Sequence, residues 1–261
     1  PMMSVNLIEW SSRISQAEKT RQGIAPLTEQ IDSLSLKDAY SIQLEQIHRK
    51  VNAGDNITGK KIGLTSRAMQ QLLNVDEPDY GHLLASMAIT NNVLDCSECI
   101  KPRVEAEIAF VMKEDLIGPN VTLEQVLAAT DYIVASLEIV DSRIKDWKIK
   151  LLDTIADNAS SAKYVLGDIK KSIEEIDLPA VEMNFYKNGE LVNSGKGTDV
   201  LGNPAACVVW LVNRLADFNI GVKKGEVILS GALSAALDAS PGDEFTADFG
   251  ETLGKIQLSC V

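Results

Sequence analysis

The chain has 261 residues, 45% hydrophobic and 24% charged, with a net charge of −12, enough for one large core or a core domain with a smaller subdomain. The acidic balance and the lack of any Lys/Arg cluster exclude a nucleic-acid partner, which needs a basic surface. No apolar run approaches the roughly 20 residues of a membrane helix, and Pro1-Met2-Met3-Ser4-Val5 lacks the basic, apolar, small-residue order of a signal peptide; the expectation is a cytoplasmic protein without a membrane partner.

Leu7, Ile8, Ile14 and Ala17 among charged neighbours predict an amphipathic helix to about Arg21, ended at Ile24-Ala25-Pro26-Leu27. A second helix follows, capped by Ser35 with Asp38 three residues on, apolar at Tyr40, Leu44, Ile47 and Val51, and stopped at Gly54. His48 lies in that helix beside Arg49 and Lys50 and is read as solvent-facing. The expected organisation is a helical N-terminal segment over residues 1–56 and a catalytic domain over residues 57–261.

Ile57 to Ser66 reads as a short strand bounded by glycines, with one of Lys60 and Lys61 entering a pocket and the other facing water, and a helical turn from Arg67 to Leu73 comes next. Asp76-Glu77-Pro78-Asp79-Tyr80-Gly81-His82 reads as a turn. The four cysteines, Cys96, Cys99, Cys207 and Cys260, are too few and too scattered for a disulfide framework and are expected as free thiols.

The chain is organised around Arg103-Val104-Glu105-Ala106-Glu107-Ile108-Ala109-Phe110, a strand with two carboxylates where a core should have hydrocarbon. Alternation puts Glu105 and Glu107 on one face with Ala109 and Val111, and Val104, Ala106, Ile108 and Phe110 on the other. Two like charges in an apolar setting cost several kcal/mol unless one takes a proton or a cation sits between them; the alternative is a solvated edge strand with its glutamates in water. Glu138, the only ionisable side chain of the apolar run Tyr132 to Val140, supplies a third carboxylate after a capped helix starting at Thr122. Ligands that are all carboxylates favour Mg2+ or Mn2+ over zinc.

Past Glu138, Asp141-Ser142-Arg143 and the polar cluster Asp153 to Ser161 read as caps and turns. They also offer an anionic substrate a cation in Arg143, hydroxyls and backbone N–H groups. Asn188-Gly189 predicts a type I′ hairpin turn, Asn203-Pro204 opens a helix buried through Val208, Leu211, Val212 and Leu215, and three strands follow from Gly225 onward. Gly195-Lys196-Gly197-Thr198 lacks phosphate-loop spacing, so nucleotide binding is rejected. Without a regular βαβ alternation, the expected class is α+β with a mixed, rolled or barrel-like sheet.

On Gly59 to Ser66, Glu77-Pro78-Asp79-Tyr80-Gly81, Pro102 to Ala109, Leu137 to Arg143 and Asp153 to Ser160, the chain resembles the 2-oxopent-4-enoate (2-hydroxypentadienoate) hydratases. These are relatives of the 4-oxalocrotonate decarboxylases within the fumarylacetoacetate hydrolase superfamily. The resemblance implies a mixed β-roll, a homo-oligomer, a possible complex with such a decarboxylase, and a Mg2+ or Mn2+ site on Glu105, Glu107 and Glu138. It also puts Lys61, Asp79 and Ser160 in the pocket of a small anionic 2-hydroxy-dienoate, with Lys61 and Asp79 moving protons or charge, Ser160 holding the substrate, and His82 as a weaker acid/base. Asp146-Trp147-Lys148 and Ser230-Gly231-Ala232-Leu233 look hydratase-like. The alternatives are decarboxylation of a 2-oxo-enedioate and a non-catalytic partner subunit.

Overall fold

The structure, a computed structural model, describes residues 5–261. Helices α1 (Leu7–Thr20), α2 (Leu27–Gln30) and α3 (Leu36–Asn52) form the N-terminal part. The Asn6 side chain accepts from the Glu9 N–H at the start of α1, and Ser35 and Asp38 close a reciprocal capping box on α3, so orphan N–H groups at both helix starts are satisfied. After them come β1 (Ile57–Gly63), α4 (Arg67–Leu72), β2 (Asp79–Leu84), β3 (Val93–Leu94), β4 (Arg103–Met112), α5 (Leu123–Ala128), β5 (Thr130–Val140), α6 (Leu151–Ala156) and β6 (Ser161–Leu166). The chain then runs through β7 (Glu182–Lys187), β8 (Glu190–Lys196), α7 (Pro204–Leu215), β9 (Val227–Ala232), β10 (Leu237–Asp238), β11 (Glu244–Asp248), α8 (Gly250–Leu253) and β12 (Lys255–Cys260).

One sheet has the order β2-β1-β9-β4-β5-β6, with β10 added to β4; the other is β3-β12-β11-β7-β8. Among the described strands, β1 with β9 and β12 with β3 pair in parallel and the rest antiparallel, which makes both sheets mixed, as expected of the β-roll. The hairpin between β7 and β8 turns on Asn188 and Gly189 at φ 52° and 79°, the left-handed pair a type I′ turn requires. Helix α7 starts with the Asn203 side chain accepting from the Ala205 N–H, and Pro204 costs nothing in the first turn.

Alternation along β4 sorts its side chains into two cores. Val104, Ala106, Ile108 and Phe110 enter the main one, with Phe185, Phe245 and Leu258 of the second sheet and Leu211 and Leu215 of α7. Ala109 and Val111 face the other way, with Leu83, Val134, Leu229 and Ile47 of α3. Each fully buried Leu, Ile or Phe stabilises the fold by about 1.5–3 kcal/mol, so the strand that carries the glutamates is clamped from both faces.

Two expectations fail here. Asp79 to His82 form no turn: they lie in β2, paired antiparallel with β1 from Lys60–His82 to Gly63–Asp79, and all four are buried. Neither lysine of the Lys60-Lys61 pair faces water: both are at most 3% exposed, because β1 is covered on both faces. Lys60 Nζ pairs with Glu226 Oε1 at 2.7 Å, a partner far along the chain that local pattern could not supply.

Candidate active site

The β4–β5 ladder puts Glu105 directly opposite Glu138, with Glu107 opposite Ser136. Directly opposed like charges destabilise a sheet, yet oxygen atoms of Glu105, Glu107 and Glu138 lie within 4.8 Å of one another. Glu107 and Glu138 are fully buried. Gly231 N–H donates to Glu107 Oε1 at 2.8 Å, while Glu107 Oε2 and both Glu138 oxygens lack a hydrogen-bond partner among the described residues. Burial, then the Glu138 charge, raises the Glu105 carboxyl to about 7 and lifts Glu107 well above the carboxylate range. Buried polar groups are nearly always satisfied in folded proteins, so orphaned oxygens on two of three converging carboxylates fit a hard divalent cation that takes oxygen ligands.

Lys61 reaches this cluster from β1. Its ammonium donates to Ala159 O at 2.7 Å and lies 3.3 Å from Glu138 Oε2. Burial opposes its charge, but Glu138, Asp79, Glu105 and Glu107 outweigh that and hold Lys61 above the ordinary lysine range. Asp79 is 2% exposed, and burial raises its carboxyl pKa against the pull of Lys61. Gly63 makes room for their approach: a Cβ there would collide with Asp79 Oδ1 and come within 3.5 Å of Lys61 Nζ.

The strap Asn158-Ala159-Ser160 has three successive residues at φ 54°, 50° and 58°, a left-handed run that non-glycine residues hold only when their surroundings impose it. The Asn158 side chain imposes it by accepting from the His82 N–H at 2.7 Å and donating to His82 O at 2.9 Å. The strained turn delivers the Ala159 carbonyl to Lys61 and the Ser160 hydroxyl to Thr154 Oγ1, 2.8 Å away.

A cavity of about 370 Å³ opens over this cluster. Lys61, Asp79, Glu105 and Ser160 line it together, so four of the residues singled out in sequence meet in one space. Thr65 and Thr154 line it too, as does Arg103, which shares a β4 face with Glu105; sequence reasoning did not single them out, although Thr154 stands in the polar cluster it noted.

Arg143 does not meet them. Its Nε binds Asp157 Oδ1 at 2.6 Å and its terminal nitrogen the carbonyls of Asp157 and Ser161, on the far side of the strap, where it holds the backbone in place of a substrate. His82 also stays out of the cavity: it is 1% exposed, its Nδ1 lies 2.7 Å from Gln43 Oε1, and burial followed by the Lys60 charge lowers its pKa to about 3. Because Gln43 Nε2 already donates to Tyr80 O and Ile155 O, the Gln43 oxygen faces the ring and the neutral imidazole carries its proton on Nδ1. A neutral, tethered imidazole links α3 to β2 and has no proton to offer near pH 7.

The family profile "Fumarylacetoacetate (FAA) hydrolase C-terminal" matches residues 60–260. A 2-hydroxyhexa-2,4-dienoate hydratase of Comamonas testosteroni is 45% identical over 236 residues, covering 89% of each chain. A 2-hydroxypent-2,4-dienoate hydratase of Pseudomonas putida is 45% identical over 214 residues, 81% of this chain and 96% of the relative. The solved 4-oxalocrotonate decarboxylase of Pseudomonas putida, complexed with magnesium and adipate, superposes with a TM-score of 0.96 at 35% identity, covering 100% of this chain and 99% of that one.

Proposed function

The chain belongs to the fumarylacetoacetate hydrolase family, and from that premise we propose that it is a divalent-metal-dependent hydratase. It adds water to 2-hydroxypenta-2,4-dienoate to give 4-hydroxy-2-oxopentanoate. The observation that carries this reading is the convergence of Glu105, Glu107 and Glu138, with orphaned oxygens on the latter two, beside a cavity lined by Glu105, Lys61, Asp79 and Ser160, in a chain 45% identical to two dienoate hydratases.

Glu105, Glu107 and Glu138 would hold a Mg2+ or Mn2+ ion, which would supply Lewis acidity toward the substrate's carboxylate and 2-oxygen. Lys61, fixed by the Ala159 carbonyl, sets a positive charge beside the same oxygens and needs no reorganisation to do so. Ser160, oriented by Thr154, donates to the substrate carboxylate. Asp79 is the acid/base, its carboxyl raised by burial toward the range where a proton can be both given and taken. It protonates carbon 5 as the dienol becomes the conjugated ketone, then takes a proton from the water that attacks carbon 4. The 2-hydroxyl proton leaves on ketonisation, and carbon 3 is protonated after the attack, which balances the addition of one water.

The runner-up is decarboxylation of 2-oxohex-3-enedioate, favoured by the overlay on the magnesium-bound decarboxylase. Its product is the hydratase substrate, so a homo-oligomer that docks on such a decarboxylase belongs to the same reading. The test is to incubate the Mg2+-loaded protein with each compound in oxygen-18 water and identify the products by NMR and mass. Label in the 4-hydroxyl from the dienoate is expected; CO2 release from the enedioate without labelled hydroxy acid would replace hydration with decarboxylation.

A further inference from the structure

Strand β4 runs between β9 and β5, and each of these neighbours carries a serine near Glu107. On β9, Ser230 donates its hydroxyl to Ile108 O at 2.6 Å. On β5, Ser136 is 0% exposed and its hydroxyl has no hydrogen-bond partner among the described residues. A buried orphan hydroxyl destabilises a fold, and alanine would occupy the same strand position without that cost. Ser161 is likewise buried and unpaired, but it lines a separate cavity of about 320 Å³ on the far side of the strap from the glutamates.

The surroundings of Ser136 are of another kind. In the β4–β5 ladder it stands directly opposite Glu107, and residues paired in this way share a face, with Cβ atoms about 4.5–5.5 Å apart. Two residues further along β5, Glu138 points to that same face. Glu107 Oε1 accepts from the Gly231 N–H, whereas Glu107 Oε2 and both Glu138 oxygens have no donor among the described residues. An unused donor therefore stands across the ladder from unused acceptors. A carboxylate accepts at up to about four positions, and one that ligates a metal is itself hydrogen-bonded, which fixes its orientation. Gly231 gives Glu107 one such tether. The Lys61 ammonium, the other donor of the cluster, is engaged by Ala159 O and Glu138.

We infer that Ser136 is a positioning residue of the metal centre: its hydroxyl donates to the Glu107 carboxylate when that group holds a divalent cation, so that Glu107 is tethered from β9 by Gly231 and from β5 by Ser136. The inference rests on the reading of Glu105, Glu107 and Glu138 as a cation site. Ser136 does not line the cavity; it acts through Glu107, on how tightly the ion is held.

Ser136→Ala tells this role from one in packing, because it moves the metal-free and the metal-loaded protein in opposite directions. Without metal the variant has lost an unsatisfied hydroxyl, and it melts at or above the wild-type temperature. Calorimetric titration of the chelator-treated variant with Mg2+ shows an affinity about 10–100-fold weaker than wild type. Ser161→Ala, the same change at the other unpaired serine, leaves the Mg2+ affinity at its wild-type value. Wild-type affinity in Ser136→Ala, equal weakening in Ser161→Ala, or a metal-free Ser136→Ala that melts well below wild type overturns the assignment while the cation site stands. A wild-type protein that takes up no Mg2+ overturns the cation site and the role of Ser136 with it.

Discussion

Lys60 and Lys61 are neighbours on one strand, point to opposite faces and are equally buried, yet their surroundings differ in one respect that decides what each does. Lys60 meets one carboxylate, Glu226, at 2.7 Å, and a carbonyl, Gly221 O, at 3.2 Å: one charge is matched by one charge. Lys61 faces four carboxylates, Glu138, Asp79, Glu105 and Glu107, and three of the glutamate oxygens have no hydrogen-bond partner among the described residues. A balanced buried pair is a structural part of the fold. A buried cluster with an excess of carboxylates is unstable as it stands, and a protein retains it where a cation or a substrate completes it.

The largest expected effect comes from breaking the unbalanced side. Glu107→Gln removes a full ligand charge, and since loss of a mere supporting hydrogen bond already costs about 10–100-fold in metal affinity, activity should fall to background. The same change relieves repulsion in the metal-free protein, so its melting temperature should equal or exceed that of metal-free wild type. Turnover within tenfold of wild type, or a collapse of the metal-free fold, would show that Glu107 is not a ligand held under strain.

Breaking the balanced side should do the reverse. Lys60→Met leaves Glu226 buried without its partner, at a cost of about 3–5 kcal/mol in denaturant unfolding, while Mg2+ affinity stays at the wild-type value. Pairing it with Glu226→Gln should recover most of the loss. Unchanged stability in the single variant would mean that Glu226 escapes to water and that the contrast between the two lysines is false.

Asp79→Asn comes next, with kcat lowered about 100-fold or more and KM nearly unchanged, as befits a group that moves protons without gripping the ground state. A steady-state assay on 2-hydroxypenta-2,4-dienoate reads it; a kcat within about threefold of wild type makes Asp79 a structural residue.

How far the sequence carries this picture depends on how local each cause is. Caps and turns are local, and Ser35 with Asp38, Thr122 with Gln125, Asn203-Pro204 and Asn188-Gly189 stand where their residues predict. The same-face glutamates of β4 were legible because period-two alternation needs no knowledge of the partner strand. Asp79, Lys61 and Ser160 came only from family resemblance, since nothing local separates them from surface residues. What was misread depends on distant partners. The polar stretch Asp79 to His82 becomes a strand because β1 pairs with it and Asn158 clamps it; Lys60 is buried because Glu226 awaits it; Arg143 turns from substrate to backbone because Asp157 and Ser161 surround it. The left-handed run at Asn158 to Ser160 gives no sequence signal, since none of the three is glycine.

The smallest effect concerns His82, buried neutral near Lys60 with its pKa lowered to about 3. Below about pH 6.5 the unfolded chain takes up a proton that the folded one refuses, so stability falls with falling pH at up to about 1.4 kcal/mol per unit. His82→Gln should flatten this fall between about pH 6.5 and 5. Identical slopes in wild type and variant would mean that the imidazole is charged in the folded state.

The central claim, that the excess of carboxylates around Lys61 exists to hold a hard divalent cation, is tested most directly by titrating the chelator-treated wild-type protein with Mg2+ by calorimetry while following its melting temperature. The account predicts one saturable equivalent per chain, a melting temperature that rises with Mg2+ concentration by mass action, and reversal of both by chelator. No saturable binding, with a melting temperature indifferent to Mg2+, would contradict it.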